Sequence, residues 1–150
     1  MSRKKTENIF SYKKLTDNIS TSGQPTEEEI EAIIEEGFEV VIYLALLDSK
    51  TAIAGERALI ENAGLIFEHI PVVFKNPLKA DFDRFCDLMA KYKDRKCFIH
   101  CEANMRVSVF MALYRIKAEG WIYDKAIADV HDIWKPDEVW SAFIQDILNA

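Results

Sequence analysis

Apolar residues recur along this chain with two different periods, and the changes of period mark its elements. From Thr26 the spacing is helical: Ile30, Ile33 and Ile34 share a face, Thr26 and Glu29 form a capping-box pattern, and Gly37 closes the segment. Phe38–Leu47 then runs almost unbroken through Val40, Val41, Ile42, Tyr43 and Leu44, which predicts a central strand covered on both faces. Helical spacing returns over Thr51–Ala63 through Ile53, Ala54 and Ile60, ending at Gly64, and Leu65–Val73 is a further strand. Asp81 begins a helix whose Phe82, Phe85, Leu88, Met89 and Tyr92 recur at the helical period.

Cys97–His100 predicts a buried strand, and Met105–Gly120 a helix that is apolar on nearly every side and therefore central. Helices over 123–134 and 137–148 are separated by Pro136, which suits a helix start and not an interior. Nearer the amino terminus, Asn18–Pro25 reads as a short edge strand broken by Gly23 and Pro25. Residues 1–14 are charged and aperiodic, which predicts a loosely held arm ahead of a single domain over 15–150. Strands alternating with helices imply an α/β fold with a mainly parallel sheet of four to five strands flanked by helices. In such sheets ligands sit at the carboxyl ends of the strands, so Asp48, the 74–76 segment and the loop at Cys101 are expected on one face.

Composition narrows the function. A formal charge of -6, from 19 Lys+Arg against 25 Asp+Glu, provides no broad electropositive surface for nucleic acid. Neither an apolar signal-peptide core nor a membrane-length apolar run is present, so a cytoplasmic protein that does not engage membrane is expected. Cys86, Cys97 and Cys101 do not form a disulfide framework in a reducing compartment. No Cys or His spacing suggests a metal site, and no cofactor is expected.

The candidate chemistry lies in the stretch Lys96–Ser108, a buried strand entering a short loop and a helix. A cysteine at the strand end, followed by the amides of 102–105 and then Arg106, makes a concave anion site with a thiol at its floor. Amides and guanidinium both favour the thiolate, and the same donors would hold an oxyanion above the sulfur. The plainer alternatives are a structural Cys101 and a surface Arg106. Cys97, on the same strand face as Cys101, is either a resolving thiol or, more simply, core packing. Asp48 is more simply a loop or capping residue, and Trp121, Trp134 and Trp140 fall on apolar helix faces as core.

These residues resemble the protein tyrosine phosphatase superfamily, in particular its compact dual-specificity branch. The strand-borne His100-Cys101 pair, the following Arg106, and Ser108 carry the resemblance. Ser22-Gly23-Gln24-Pro25 before a helix, the 40–44 strand and Gly64 are also similar to bacterial phosphatase-like domains joined to beta-lactamase-like hydrolases. The resemblance implies a cysteine-phosphatase fold and hydrolysis of a phosphate monoester, on a phosphorylated protein or a small phosphorylated molecule, through a phosphocysteine. Cys101 would be the nucleophile. Arg106 and the loop residues Glu102, Ala103, Asn104, Met105 and Val107 would bind the oxyanion, Ser108 would stabilise the departing thiolate, and His100 would orient the loop.

Several departures from the family pattern stand out. Four residues separate Cys101 from Arg106, one fewer than in the family, so aligning Ser108 instead puts Val107 in the arginine place. Asn104 stands where the family has glycine, and Asn enters the left-handed region more readily than most residues. Glu102 adds a negative charge beside the anion pocket unless it points away. The family's acidic residue is absent from the strand before the cysteine, leaving Asp81 and Asp48 as candidate general acids. The shorter loop also resembles that of rhodanese-like sulfurtransferases, with a Cys101 persulfide, and a non-catalytic oxyanion-binding pseudophosphatase is the third reading.

Overall fold

The computed structural model describes residues 4–150, and the first three residues of the expected arm lie outside it. The strands are β1 (Lys13–Thr16), β2 (Ile19–Ser22), β3 (Val40–Tyr43), β4 (Ile66–His69) and β5 (Cys97–His100). The helices are α1 (Glu27–Glu35), α2 (Glu56–Asn62), α3 (Lys79–Lys91), α4 (Met105–Glu119), α5 (Tyr123–His131) and α6 (Glu138–Leu148). Among the described residues the sheet order is β1-β2-β5-β3-β4. The β2–β5, β5–β3 and β3–β4 pairs are parallel, and β1 joins β2 antiparallel at the margin.

This is the expected α/β architecture, with two adjustments. β5 rather than β3 takes the middle of the sheet, with Cys97–His100 paired to Ile19–Ser22 on one side and Val40–Tyr43 on the other. Both strands are buried along their whole length, which is why their apolar runs look alike in sequence. β2 is therefore an interior strand and not the edge its neighbouring Gly and Pro suggest. The edge is β1, whose Lys13 and Lys14 blunt it, as charged edge strands commonly do.

Residues 4–14 correct the expectation of a loose arm. Thr6–Asn8 forms a single 3-10 turn, and Thr6 and Ile9 are both buried. Two bonds to the Glu36 carboxylate hold Thr6, one from its amide at 2.9 Å and one from its hydroxyl at 2.6 Å. Ile9 joins the core of the sheet. No periodicity announces this segment because its anchoring residues are isolated among charges.

α4 is central, as its all-round apolar character requires. It packs against α3, α5, α6 and β2. Phe110 meets Phe82, Phe85, Trp140 and Phe143 at centroid distances of 5.5–6.1 Å. Of its two buried arginines, Arg115 is satisfied by Asp129 at 2.6 Å and lies over the Trp121 ring at 4.2 Å. α2 starts at Glu56, later than Thr51, because Gly55 at φ 81 turns the chain immediately before it. Among the described residues no helix is long and apolar enough to cross a membrane.

Candidate active site

β5 delivers Cys101 at the carboxyl edge of the sheet, fully enclosed at 0% exposure. Its amide donates to the Ser22 carbonyl at 3.4 Å. The chain then turns through Asn104, which adopts the left-handed conformation at φ 62, ψ 9, and α4 begins at Met105. The glycine-like duty expected of Asn104 is thus what the backbone requires. Its side chain adds a second duty: Nδ2 donates to the Ser11 carbonyl at 2.9 Å and to Thr21 Oγ1 at 3.0 Å. Ser11 returns a bond from its hydroxyl to the Ala103 carbonyl at 3.1 Å. The amino-terminal segment is therefore pinned to the loop it was not expected to touch.

Gly23 explains the Ser-Gly-Gln-Pro stretch in physical terms. The Gly23 backbone bridges Ala103, and the Gln24 amide donates to the Glu102 carbonyl at 3.0 Å. A Cβ on Gly23 would sit 2.5 Å from the Glu102 oxygen, 2.7 Å from Phe10 and 3.1 Å from the Ala103 Cα. Two of those neighbours are backbone and cannot swing aside. Gly23→Ala is expected to lower unfolding free energy by about 1–3 kcal/mol, read as a shifted denaturant midpoint; an unshifted midpoint would show that the loop has slack.

His100 and Glu56 form a buried pair behind the cysteine. His100 Nε2 lies 2.6 Å from Glu56 Oε2, and Nδ1 lies 3.3 Å from the Cys101 carbonyl. Both partners are acceptors, so each ring nitrogen forms its bond only when it carries a proton. The ring also packs on Tyr43 at 4.8 Å, and Tyr43 stacks on His69 at 5.2 Å. Gln24 Nε2 donates to the other Glu56 oxygen at 2.9 Å. Burial by itself would raise the Glu56 pKa, but the His100 charge, its hydrogen bond and the Gln24 donor bring it net below its ordinary value. Glu56 and Gln24 are participants that sequence reasoning missed, since a Glu among the polar positions of the expected 51–63 helix reads as an ordinary surface acid.

Arg106 is 5% exposed. Its Nε donates to the Val72 carbonyl at 2.9 Å, and its guanidinium lies 5.2 Å from the centre of the Phe74 ring. Phe74 is positioned in turn by Trp140, whose Nε1 donates to the Phe74 carbonyl at 2.8 Å. A surface cavity is lined by Phe74, Glu102, Ala103, Met105 and Arg106. Val107, the residue that the alternative alignment puts in the arginine place, is wholly buried. Of the two positions, Arg106 is the one whose side chain lines the cavity.

The other candidates separate from this cavity. Ser108 donates its hydroxyl to the Met105 carbonyl at 2.9 Å and accepts from Trp134 Nε1 at 3.2 Å. Its hydroxyl is engaged there and not on Cys101. Asp81 accepts from the Leu78 amide at 3.2 Å, which makes it a cap of α3; burial raises its pKa. Asp48 is exposed in the turn after β3. Neither aspartate lines the cavity, and its carboxylate is that of Glu102. Cys97 is core, its thiol pushed up to about 11 by burial. Four strand residues place it about 13 Å from Cys101, too far for a disulfide.

A thiol at the tip of a central parallel strand, a left-handed turn, and an arginine one helical step into the next element define a cysteine-phosphatase fold. A family model described as the DSP-PTPase phosphatase fused to NAD+ kinase matches residues 3–133, and the chain belongs to that family. A DUF442 protein from Shewanella putrefaciens CN-32 superposes with a TM-score of 0.84 at 26% identity, covering 95% of this chain and 94% of that one. Tk-PTP in its active form gives a TM-score of 0.77 at 16% identity, covering 93% and 97%. P. aeruginosa TpbA in complex with pTyr gives 0.72 at 17% identity, covering 93% and 87%. These last two show the fold alone. A comparison with curated proteins finds no match.

Proposed function

We propose that this chain hydrolyses phosphate monoesters in two steps, with Cys101 as nucleophile. The observation that carries the reading is the placement of Arg106: its Nε is held by the Val72 carbonyl and its guanidinium borders the cavity at the Cys101 loop. In the first step the Cys101 thiolate attacks phosphorus, the S–P bond forms, and the bond to the ester oxygen breaks with its electron pair leaving on that oxygen. In the second, water attacks the phosphocysteine, releasing phosphate and regenerating the thiolate. Loop amides and the Arg106 fork stabilise charge on the equatorial oxygens in both steps.

The carboxylates suggested as general acids stand elsewhere, so aryl esters, whose leaving groups need little protonation, are the substrates of first choice. Phosphotyrosine is such an ester, and the structurally similar TpbA binds it. Aryl phosphate release is expected to fall by at least about 10³-fold in Cys101→Ser, with a trapped phosphocysteine seen by mass spectrometry only in the parent protein. Equal release by parent and variant would refute the reading. The shortened loop is the observation favouring sulfur transfer; thiocyanate from thiosulfate and cyanide, without aryl phosphate release, would establish that alternative. Silence in both assays, with vanadate still protecting Cys101 from alkylation, would leave an oxyanion-binding protein.

A further inference from the structure

Glu102 follows the cysteine directly, and its carboxylate does not point away from the pocket. Oε1 lies 3.6 Å from Arg106 Nη2. The glutamate side chain is 34% exposed, whereas that of the arginine is 7% exposed, so the pair runs from the rim inward. Both residues line the same cavity with Phe74, Ala103 and Met105, and these two supply its charged groups. Arg106 is therefore already matched on three sides: Val72 on Nε, Phe74 on its face, and Glu102 on Nη2. A site built only to attract a dianion would leave its guanidinium electrically uncompensated. This one contains its own anion.

We propose that Glu102 is a specificity-determining residue: it serves as an internal counter-ion that an incoming phosphate must displace from Arg106, and it thereby selects phosphate esters that carry a positive charge beside the phosphate. The inference rests on the oxyanion reading of the Cys101 loop given above. Displacement removes an ion pair and brings the ligand's charge beside a carboxylate, so a bare dianion is disfavoured twice. A ligand with a cationic group gives the displaced carboxylate a new partner at the partly exposed rim. The chain's formal charge of -6 acts in the same direction by favouring cationic partners on approach.

Two binding measurements on the full chain test this. Calorimetric titration with inorganic phosphate is expected to give about tenfold tighter binding for Glu102→Gln than for the parent protein, with Glu102→Asp falling between the two because its charge remains but sits farther from Arg106. A merely structural role would weaken both variants instead. In the Cys101→Ser background, a phosphotyrosine peptide with flanking lysines is expected to bind about tenfold more tightly than one with flanking glutamates, and adding Glu102→Gln should shrink that ratio severalfold. Unchanged or weaker phosphate binding in Glu102→Gln overturns the proposal, as does a peptide ratio that the substitution leaves intact. Aryl phosphate turnover by the parent protein alongside either of those results overturns this inference alone. Absence of both turnover and phosphate binding, in the parent and in Glu102→Gln, overturns the phosphatase reading with it.

Discussion

Arg106→Met is expected to lower kcat/KM for an aryl phosphate by about 10²–10³-fold, the loss typical of removing one preorganised oxyanion donor. Methionine retains much of the aliphatic volume but none of the charge, so Val72 loses its donor and Glu102 its partner. An orphaned buried carbonyl costs about 1–3 kcal/mol, and the variant should also unfold at lower denaturant. Arg106→Lys is expected to recover stability only in part and activity hardly at all. An ammonium cannot reach Val72 through Nε while presenting a planar fork to the cavity, nor can it stack as well on Phe74. Steady-state kinetics with a parallel urea titration separate the two losses. If either variant kept activity within threefold of the parent, Arg106 would be a structural arginine and not the oxyanion ligand.

Glu56→Ala is expected to cost about 3–5 kcal/mol of stability, because it strands His100 and the Gln24 amide in a buried site. Glu56→Gln preserves shape and an acceptor oxygen, and should lie between alanine and the parent. The pH dependence has a definite sign. The folded-state pKa of Glu56 lies below its ordinary value of 4.5, so its stabilising contribution is fully present above that value and is lost as pH falls below it, through the folded pKa. Stability of the parent and of Glu56→Gln should therefore differ most near neutrality and converge in acid. Chemical denaturation across that range would expose an error: a gap that widened in acid would mean the carboxylate is not held ionised by His100.

The part of the site nearest the cysteine was readable because several local signals agree there. An apolar run ending at His100 gives β5 its limits, Asn104 marks the turn, and the apolar α4 stops at Gly120, which takes φ 74. The resemblance carried by His100, Cys101 and Arg106 pointed to the family that the chain indeed belongs to. Elsewhere the local signal was weak or misleading. Lys13–Thr16 is too charged to look like a strand, and it becomes one because the β2 backbone beside it needs partners. Asp81 looks like an available acid and is consumed by a helix cap; Ser108 looks like a thiolate partner and bonds to Met105 and Trp134.

What the sequence by itself determined is the alternation of strands and helices from residue 26 onward, the burial of the middle of the sheet, and the one strand-to-helix loop that follows a cysteine. Those follow from periodicity and from short-range backbone chemistry, which adjacent residues settle among themselves. Tertiary structure alone decided which groups meet His100, Asn104 and Arg106 around the loop. Glu56 reaches His100 across 44 residues of chain, Val72 reaches Arg106 across 34, and Ser11 reaches Asn104 across 93. No spacing rule encodes such pairs, because they depend on how parallel strands bring distant loops to one edge. The direction of Glu102 is the sharpest case. It is adjacent to the cysteine in sequence, yet only the packed loop sets its carboxylate toward Arg106 and gives the pocket a charge of its own.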